Sequence, residues 1–177
     1  MADASAPFRL VFVCTGNICR SPMADVVMRS LAQRAGLGER ISSTSAGTGD
    51  WHVGERADRR TLEALERRGY DGSAHRAKQF TAAAFQANDL VVALDRSHER
   101  ILQNWAADED QAEKIALLLS FDPTASGQDV PDPYYAGDEM FDEVLEMIES
   151  SVRALFHQLE PALRTPTTPM RRIDGSV

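Results

Sequence analysis

One stretch near the N-terminus joins an apolar run to a helix start through a short loop of mostly small residues. Residues 8–13 are nearly all apolar, which predicts a strand buried on both faces of a parallel sheet. Ser21 and Pro22 favour a helix that begins with Ser21 as its N-cap and Pro22 in its first turn. Between strand and helix lies CTGNICR, from Cys14 to Arg20. A strand that runs directly into a helix favours an α/β fold.

Strand and helix patterns alternate along the rest of the chain. Apolar runs predict three further strands, at 41–45, 89–94 and 115–119. Helical patterns begin at residue 21 and recur at 57–68, 81–87 and 141–159. This order implies an α/β domain with a mostly parallel sheet and helices on both faces.

The domain organisation follows from length and from the polar ends. The 177 residues suit one domain with a core of its own. We expect a flexible N-terminus at 1–7 and a single domain at 8–160. The proline-punctuated, polar segment at 161–177 predicts a disordered tail.

Composition excludes several classes of protein. The net charge of -8 argues against a nucleic-acid partner, which requires a basic surface. No apolar run has the length of a membrane span, and the N-terminus lacks the features of a secretory signal. We therefore expect a cytoplasmic protein without a membrane partner, with export by a route that needs no signal as the alternative. The two cysteines are too few for a disulfide scaffold.

Residues 15–19, which we call the anion loop, have the features of a phosphate site. In α/β sheets ligands bind at the carboxyl ends of strands, where backbone N–H groups and the next helix attract negative charge. Gly16 permits close approach of the backbone, and Asn17 tolerates a left-handed conformation. Arg20 supplies a planar fork that suits two oxygens of one phosphate.

Cys14 is predicted to be a nucleophile at the floor of this loop, because the groups that bind an anion also stabilise a thiolate. Attack on phosphorus would give a phosphocysteine intermediate that water later hydrolyses. Arg20 would hold the phosphate oxygens, and Ser21 would donate its hydroxyl to the departing sulfur. The alternative interpretation is that Cys14 is a buried strand-end residue and Arg20 a surface charge.

Such a reaction also needs a carboxylic acid to protonate the leaving group. Asp132, within DVPDPYY between the last strand and the last helix, is the favoured candidate. An ordinary Asp-Pro turn is the alternative there. Asp95 is a second candidate at a strand end, although Asp-Arg-Ser before a helix is typical of an N-cap.

These residues carry a resemblance to a known family. CTGNICRSP together with the distant DPYY closely resembles the bacterial type of the low-molecular-weight protein tyrosine phosphatases, and SAGTGDWHVG and AHRAKQF are similar to further parts of that family. The similarity extends from about residue 8 to about residue 159. It implies a single three-layer domain with a four-stranded parallel sheet flanked by helices, and an enzyme that uses no metal or cofactor.

The resemblance also assigns roles to individual residues. It implies that Cys14 is the nucleophile, Arg20 the phosphate-binding arginine and Asp132 the general acid and then base. Further residues are implied to bind substrate, to line an aromatic cleft or to support the loop. The substrate-binding set is Thr15, Gly16, Asn17, Ile18, Cys19, Trp51, Tyr134 and Tyr135. The supporting residues are Ser45, which with Asn17 resembles the polar pair that holds the loop's strained shape, and His75, which resembles a histidine of the same network. For Ser45 and His75, ordinary capping or surface positions are the alternative.

The resemblance implies proteins that carry phosphotyrosine, and small aryl phosphates, as substrates. Inorganic phosphate would be the product and an inhibitor, and an open cleft suggests a monomer. A deep slot with aromatic walls admits a phosphophenyl ring, whereas phosphoserine would leave its phosphate short of Cys14.

Three other functions compete with this one. Arsenate reductases of similar build need additional cysteines, which this chain lacks beyond Cys19. Protein arginine phosphatases resemble the loop but carry threonine where this chain has Ile18. The third alternative is a phosphotyrosine-binding module without catalysis, against which the combination of Cys14, Arg20 and Asp132 argues.

Cys19 has two interpretations that the sequence leaves open. Cys14 and Cys19 lie at either end of a tightly curled loop. They could therefore approach within disulfide range, at Cα separations of about 4.4–6.8 Å. A reversible bond between them would protect the nucleophile from over-oxidation. Alternatively, Cys19 packs beneath the loop. Whether Tyr134 or Tyr135 is itself phosphorylated is also left open by the sequence.

Overall fold

A parallel sheet with strand order β2-β1-β3-β4 forms the centre of the molecule. The computed structural model describes residues 6–165. The strands are β1 (Phe8–Cys14), β2 (Ile41–Gly47), β3 (Leu90–Ala93) and β4 (Ile115–Leu117). All four predicted strands are present, although residues 118–121 form a 3₁₀ turn where the prediction extended β4.

Helices cover both faces of this sheet. They are α1 (Arg20–Arg34), α2 (Arg59–Arg67), α3 (Ala83–Ala87), α4 (Arg96–Trp105), α5 (Glu109–Glu113) and α6 (Asp138–Arg164). Side chains of β1 alternate between two cores, because successive residues of a strand point to opposite faces. Leu10 and Phe12 pack with α1, α2 and α6, whereas Val11 and Val13 pack with α3 and α4. The predicted three-layer α/β fold is therefore confirmed.

The start of α1 differs from the prediction. Cys19, not Ser21, precedes the first helical residue, which is Arg20. The Ser21 hydroxyl does not cap the helix because it is engaged with neighbours in the loop: its Oγ lies 2.9 Å from the Cys14 sulfur and accepts a hydrogen bond from Asn17 Nδ2 at 2.8 Å.

The predicted boundary at residue 160 falls inside a helix. Helix α6 continues through Pro161 to Arg164. Two contacts hold this last turn against the domain: Leu163 is buried in the core, and Arg164 Nη2 donates to the carbonyl of Ala35 at 3.2 Å. Residues 1–5 and 166–177, which contain most of the predicted flexible ends, lie outside the described residues.

No helix within residues 6–165 combines the length and the apolar character that a membrane crossing requires.

Helix α6 supplies a test of the core. Leu145 is fully buried against the sheet, so Leu145→Ala should lower the free energy of unfolding by about 2–5 kcal/mol through lost burial and a residual cavity. Urea denaturation measures this change. The matched control is Glu143→Ala on the exposed face of the same helix, which should change stability by less than about 0.5 kcal/mol. Equal losses in both variants would contradict the assigned orientation of α6.

Candidate active site

The site lies at the carboxyl edge of the sheet, at the end of β1, one of its two interior strands. Strand β1 pairs with β2 on one side and β3 on the other, so Cys14 occupies the middle of this edge. Cys14 pairs in register with Gly47. A Cβ at Gly47 would lie 2.6 Å from the carbonyl oxygen of Thr15, so only glycine lets β2 pass this close to the anion loop. Sequence reasoning missed Gly47.

Asn17 sets the shape of the anion loop. It is fully buried and has a φ of 56°, in the left-handed region that few side chains other than asparagine tolerate. Its Nδ2 donates to Ser21 at 2.8 Å, and its Oδ1 accepts from the backbone N–H of Lys78 at 3.0 Å. Through the Asn17 side chain, the loop is therefore hydrogen-bonded both to α1 and to the segment before α3.

His75 makes a third bond to the same residue. Its Nε2 lies 2.7 Å from the carbonyl oxygen of Asn17 and must donate, because a carbonyl can only accept. Burial is the main cause that lowers the pKa of His75. The neutral ring carries its proton on Nε2 in this arrangement. The structure thus places His75 against the anion loop, and its role as a supporting residue stays a prediction.

Ser45 is the residue that the resemblance pairs with Asn17 as a support of the anion loop. It is buried on β2 in register with Phe12, and the part of the chain that is described contains no hydrogen bond between Ser45 and Asn17. The reason is geometric, since the side chain of Asn17 is taken up by Ser21 and by the backbone of Lys78.

Arg20 has a buried guanidinium with two fixed contacts. Its side chain is 4% exposed, and Nη1 donates to Asp95 Oδ2 at 2.7 Å and to the carbonyl of Val130 at 2.9 Å. Its Nη2 lies 3.7 Å from Asp132 Oδ2. Nη1 is thus committed to the protein, which leaves the rest of the guanidinium for an anion above the loop.

Asp95 combines two roles. Its Oδ1 accepts from the backbone N–H groups of Ser97 and His98, so it is the N-cap of α4, as its sequence context suggested. Burial opposes ionisation, but the bond from Ser97, the charge of His98 and the bond from Arg20 prevail and lower the pKa of Asp95 to about 2. A carboxylate held as an anion in this way is poorly suited to donate a proton.

Asp132 lies in residues 130–137, which we call the acid loop. Its side chain is 48% exposed, and its Oδ1 accepts from the backbone N–H of Tyr134 at 3.1 Å. Arg60 of α2 holds the loop by donating to the carbonyls of Tyr134 at 2.9 Å and Ala136 at 3.1 Å. The sequence did not single out Arg60, because its partners lie far along the chain.

A cleft of about 410 Å³ opens above the anion loop. It is lined by Cys14, Thr15, Gly16, Ile18, Cys19, Arg20, Trp51, His52, Asp132, Tyr134 and Tyr135. The aromatic residues predicted as walls are exposed at 70% for Trp51, 36% for Tyr134 and 94% for Tyr135. His52, which sequence reasoning missed, adds a fourth ring at 6.4 Å from that of Tyr134.

Cys19 is buried and occupies the N-cap position of α1. Burial, followed by the charge of Asp58, raises the pKa of Cys19 to about 12. Its thiol therefore stays protonated near neutral pH, which makes it a poor second nucleophile. Neither cysteine forms a disulfide in this structure.

Within residues 6–165 no cluster of three or more His, Cys, Asp or Glu side chains has the arrangement of a metal site.

The role of Asn17 is tested by two substitutions. Asn17→Ala loses the side-chain hydrogen bonds and also loses the tolerance of asparagine for positive φ, a conformation that costs alanine about 1–2 kcal/mol. Asn17→Gly loses the same bonds without that strain. We expect Asn17→Ala to be less stable than Asn17→Gly by about 1 kcal/mol in urea denaturation. The exposed Asn104→Ala serves as the control, and equal stabilities of the two Asn17 variants would contradict the strained loop.

Comparisons with known proteins agree with this geometry. A family model described as low molecular weight phosphotyrosine protein phosphatase matches residues 9–164. The low molecular weight protein-tyrosine-phosphatase of Streptomyces coelicolor is 51% identical over 150 residues, which cover 84% of this chain and 91% of that protein.

Solved structures are similar along the same length. YfkJ from Bacillus subtilis gives a TM-score of 0.84 at 34% identity and covers 89% of this chain and 98% of its own. The YwlE arginine phosphatase gives a TM-score of 0.77 at 29% identity. The match covers 86% of this chain and 96% of that one. The resemblance inferred from CTGNICRSP and DPYY is confirmed, and the chain belongs to the low molecular weight phosphotyrosine protein phosphatase family.

Proposed function

We propose that this protein hydrolyses phosphotyrosine in other proteins through a phosphocysteine intermediate. The observation that carries the proposal is the arrangement around the anion loop. Cys14, Arg20 and Asp132 line the same cleft, the guanidinium of Arg20 is buried, and Oδ2 of the half-exposed Asp132 lies 3.7 Å from Arg20 Nη2.

In the first step the Cys14 thiolate attacks phosphorus. The S–P bond forms while the bond from phosphorus to the phenolic oxygen breaks, and Asp132 gives its proton to that oxygen. Asp132 suits this role because it is half exposed at the mouth, where the leaving group departs. Arg20 and the loop N–H groups bear the negative charge that spreads over the phosphoryl oxygens.

In the second step water attacks the phosphocysteine. Asp132, now a carboxylate, takes a proton from the water, and the S–P bond breaks to release inorganic phosphate. The Cys14 sulfur leaves as a thiolate. Ser21, whose Oγ lies 2.9 Å from that sulfur, can donate a hydrogen bond to it and so stabilises the departing anion. Inorganic phosphate that stays bound at the anion loop would act as an inhibitor.

The walls of the cleft support an aromatic substrate. Trp51 and Tyr135 line the cleft and expose most of their side chains to solvent. Neighbouring exposed aromatic side chains are typical of binding sites. Ile18 lines the cleft with an apolar side chain, which favours a phenyl ring over the guanidinium of phosphoarginine. Proteins carrying phosphotyrosine and small aryl phosphates are therefore the proposed substrates. The cytoplasmic location and the monomeric state stay predictions from the sequence.

Two substitutions test the mechanism. Cys14→Ser should abolish hydrolysis of p-nitrophenyl phosphate and of phosphotyrosine peptides, because the hydroxyl is a far weaker nucleophile than the thiolate. Asp132→Ala should lower kcat by about 10²–10⁴-fold for phosphotyrosine and by less for p-nitrophenyl phosphate, whose leaving group departs without a proton. The exposed Asp110→Asn is the control. Turnover retained by Cys14→Ser would refute the proposed nucleophile.

Substrate choice is tested by a panel. At equal concentrations of phosphotyrosine, phosphoserine and phosphoarginine peptides, we expect kcat/KM to be highest for phosphotyrosine. Ile18→Thr removes the apolar contact and should lower the ratio of kcat/KM for phosphotyrosine to kcat/KM for phosphoarginine. Phosphoarginine turnover equal to that of phosphotyrosine by the unmodified protein would favour an arginine phosphatase instead.

A further inference from the structure

A buried histidine on α4 contacts the residue that follows the nucleophile. The Nε2 atom of His98 lies 2.8 Å from the hydroxyl oxygen of Thr15. The His98 side chain is 1% exposed, so no water competes for this contact. The two residues are brought together only by the fold, because β1 and β3 are adjacent and α4 follows β3.

The other ring nitrogen of His98 faces a carboxylate. Its Nδ1 lies 3.2 Å from Asp95 Oδ1 and has no well-aligned hydrogen-bond partner. Because Asp95 is ionised, a proton on Nδ1 is attracted to it, whereas a lone pair there would be repelled. Burial, and then the charge of Arg20, lower the pKa of His98 to about 4, so the ring is neutral near neutral pH. The neutral tautomer therefore carries its proton on Nδ1.

This tautomer fixes the direction of the Thr15 hydrogen bond. Nε2 is left with a lone pair, so the hydroxyl of Thr15 must donate to it. The hydroxyl proton is then unavailable to Cys14 or to a bound phosphate. The same carboxylate meets both groups, since Oδ1 of Asp95 faces His98 and Oδ2 accepts from Arg20.

We propose that His98 is a positioning residue that couples Thr15, at the start of the anion loop, to the Asp95–Arg20 pair that clamps phosphate. The proposal rests on the proposed function of the site. His98 holds the first loop residue and the clamp in a fixed relation, so that the phosphate meets the sulfur and the guanidinium together. Loss of the coupling should weaken phosphate binding and slow the chemical step.

Three substitutions separate the two contacts of His98. Thr15→Val removes the hydroxyl and keeps the shape of the side chain. His98→Asn keeps an amide near the position of Nδ1 and loses the bond to Thr15. His98→Gln places an amide oxygen near the position of Nε2, where it can accept from Thr15. The exposed His157→Asn on α6 is the matched control.

The measurements are kcat and KM with p-nitrophenyl phosphate and the dissociation constant of inorganic phosphate by calorimetry. One hydrogen bond is worth about 0.5–1.5 kcal/mol, so Thr15→Val and His98→Asn should each lower kcat and weaken phosphate binding by about 2- to 10-fold. The double variant should be no worse than either single one, because both remove the same bond. His98→Gln should recover most of the loss.

Other outcomes would overturn the coupling. Additive losses in the double variant, or equal losses in His98→Gln and His98→Asn, would make His98 a packing residue only. Unchanged kcat and phosphate affinity in Thr15→Val, a variant with normal shape, would do the same. Failure of the proposed function is seen separately, as absence of turnover by the unmodified protein, and the phosphate affinities would still test the coupling.

Discussion

The ion pair between Arg20 and Asp95 is the interaction on which the site depends. A guanidinium with only 4% of its side chain exposed requires a partner, because an unpaired buried charge would cost several kcal/mol. Asp95 meets that need from the N-cap position of α4, and Val130 adds a carbonyl from the acid loop. Three separate parts of the chain therefore meet at one side chain. An acidic protein thus holds one cation at this site among fixed partners, with part of its guanidinium left for an anion.

Much of this arrangement could be predicted from local sequence. An apolar strand that ends at Cys14 and a helix that starts within a few residues of Arg20 place both at the same edge of the sheet, whatever the rest of the chain does. The tolerance of Asn17 for a left-handed backbone is an intrinsic property of the side chain, and the φ of 56° agrees with it. Asp132 could be ranked first because prolines fix its loop near the last helix.

What could not be predicted depends on contacts between distant segments. Asp95 had the sequence context of a cap and is one, but its bond to Arg20 spans 75 positions and leaves no local pattern. The assignment of Ser45 as partner of Asn17 did not foresee that the backbone of Lys78 takes that place. Gly47, His98 and Arg60 were missed for the same reason. Pro161 favoured a helix end, and the burial of Leu163 outweighs that local preference.

The way in which Arg60 holds the acid loop has a consequence for how the cleft can diversify. Its guanidinium lies 4.4 Å over the ring of Phe141 in the core and bonds to main-chain carbonyls of the loop rather than to its side chains. Because these bonds go to main-chain carbonyls, they do not depend on which side chains the loop carries. Positions such as Tyr135, which is almost fully exposed, can therefore change while the backbone of the acid loop stays in place. The exposed rim of the cleft can thus vary independently of the buried residues around the anion loop.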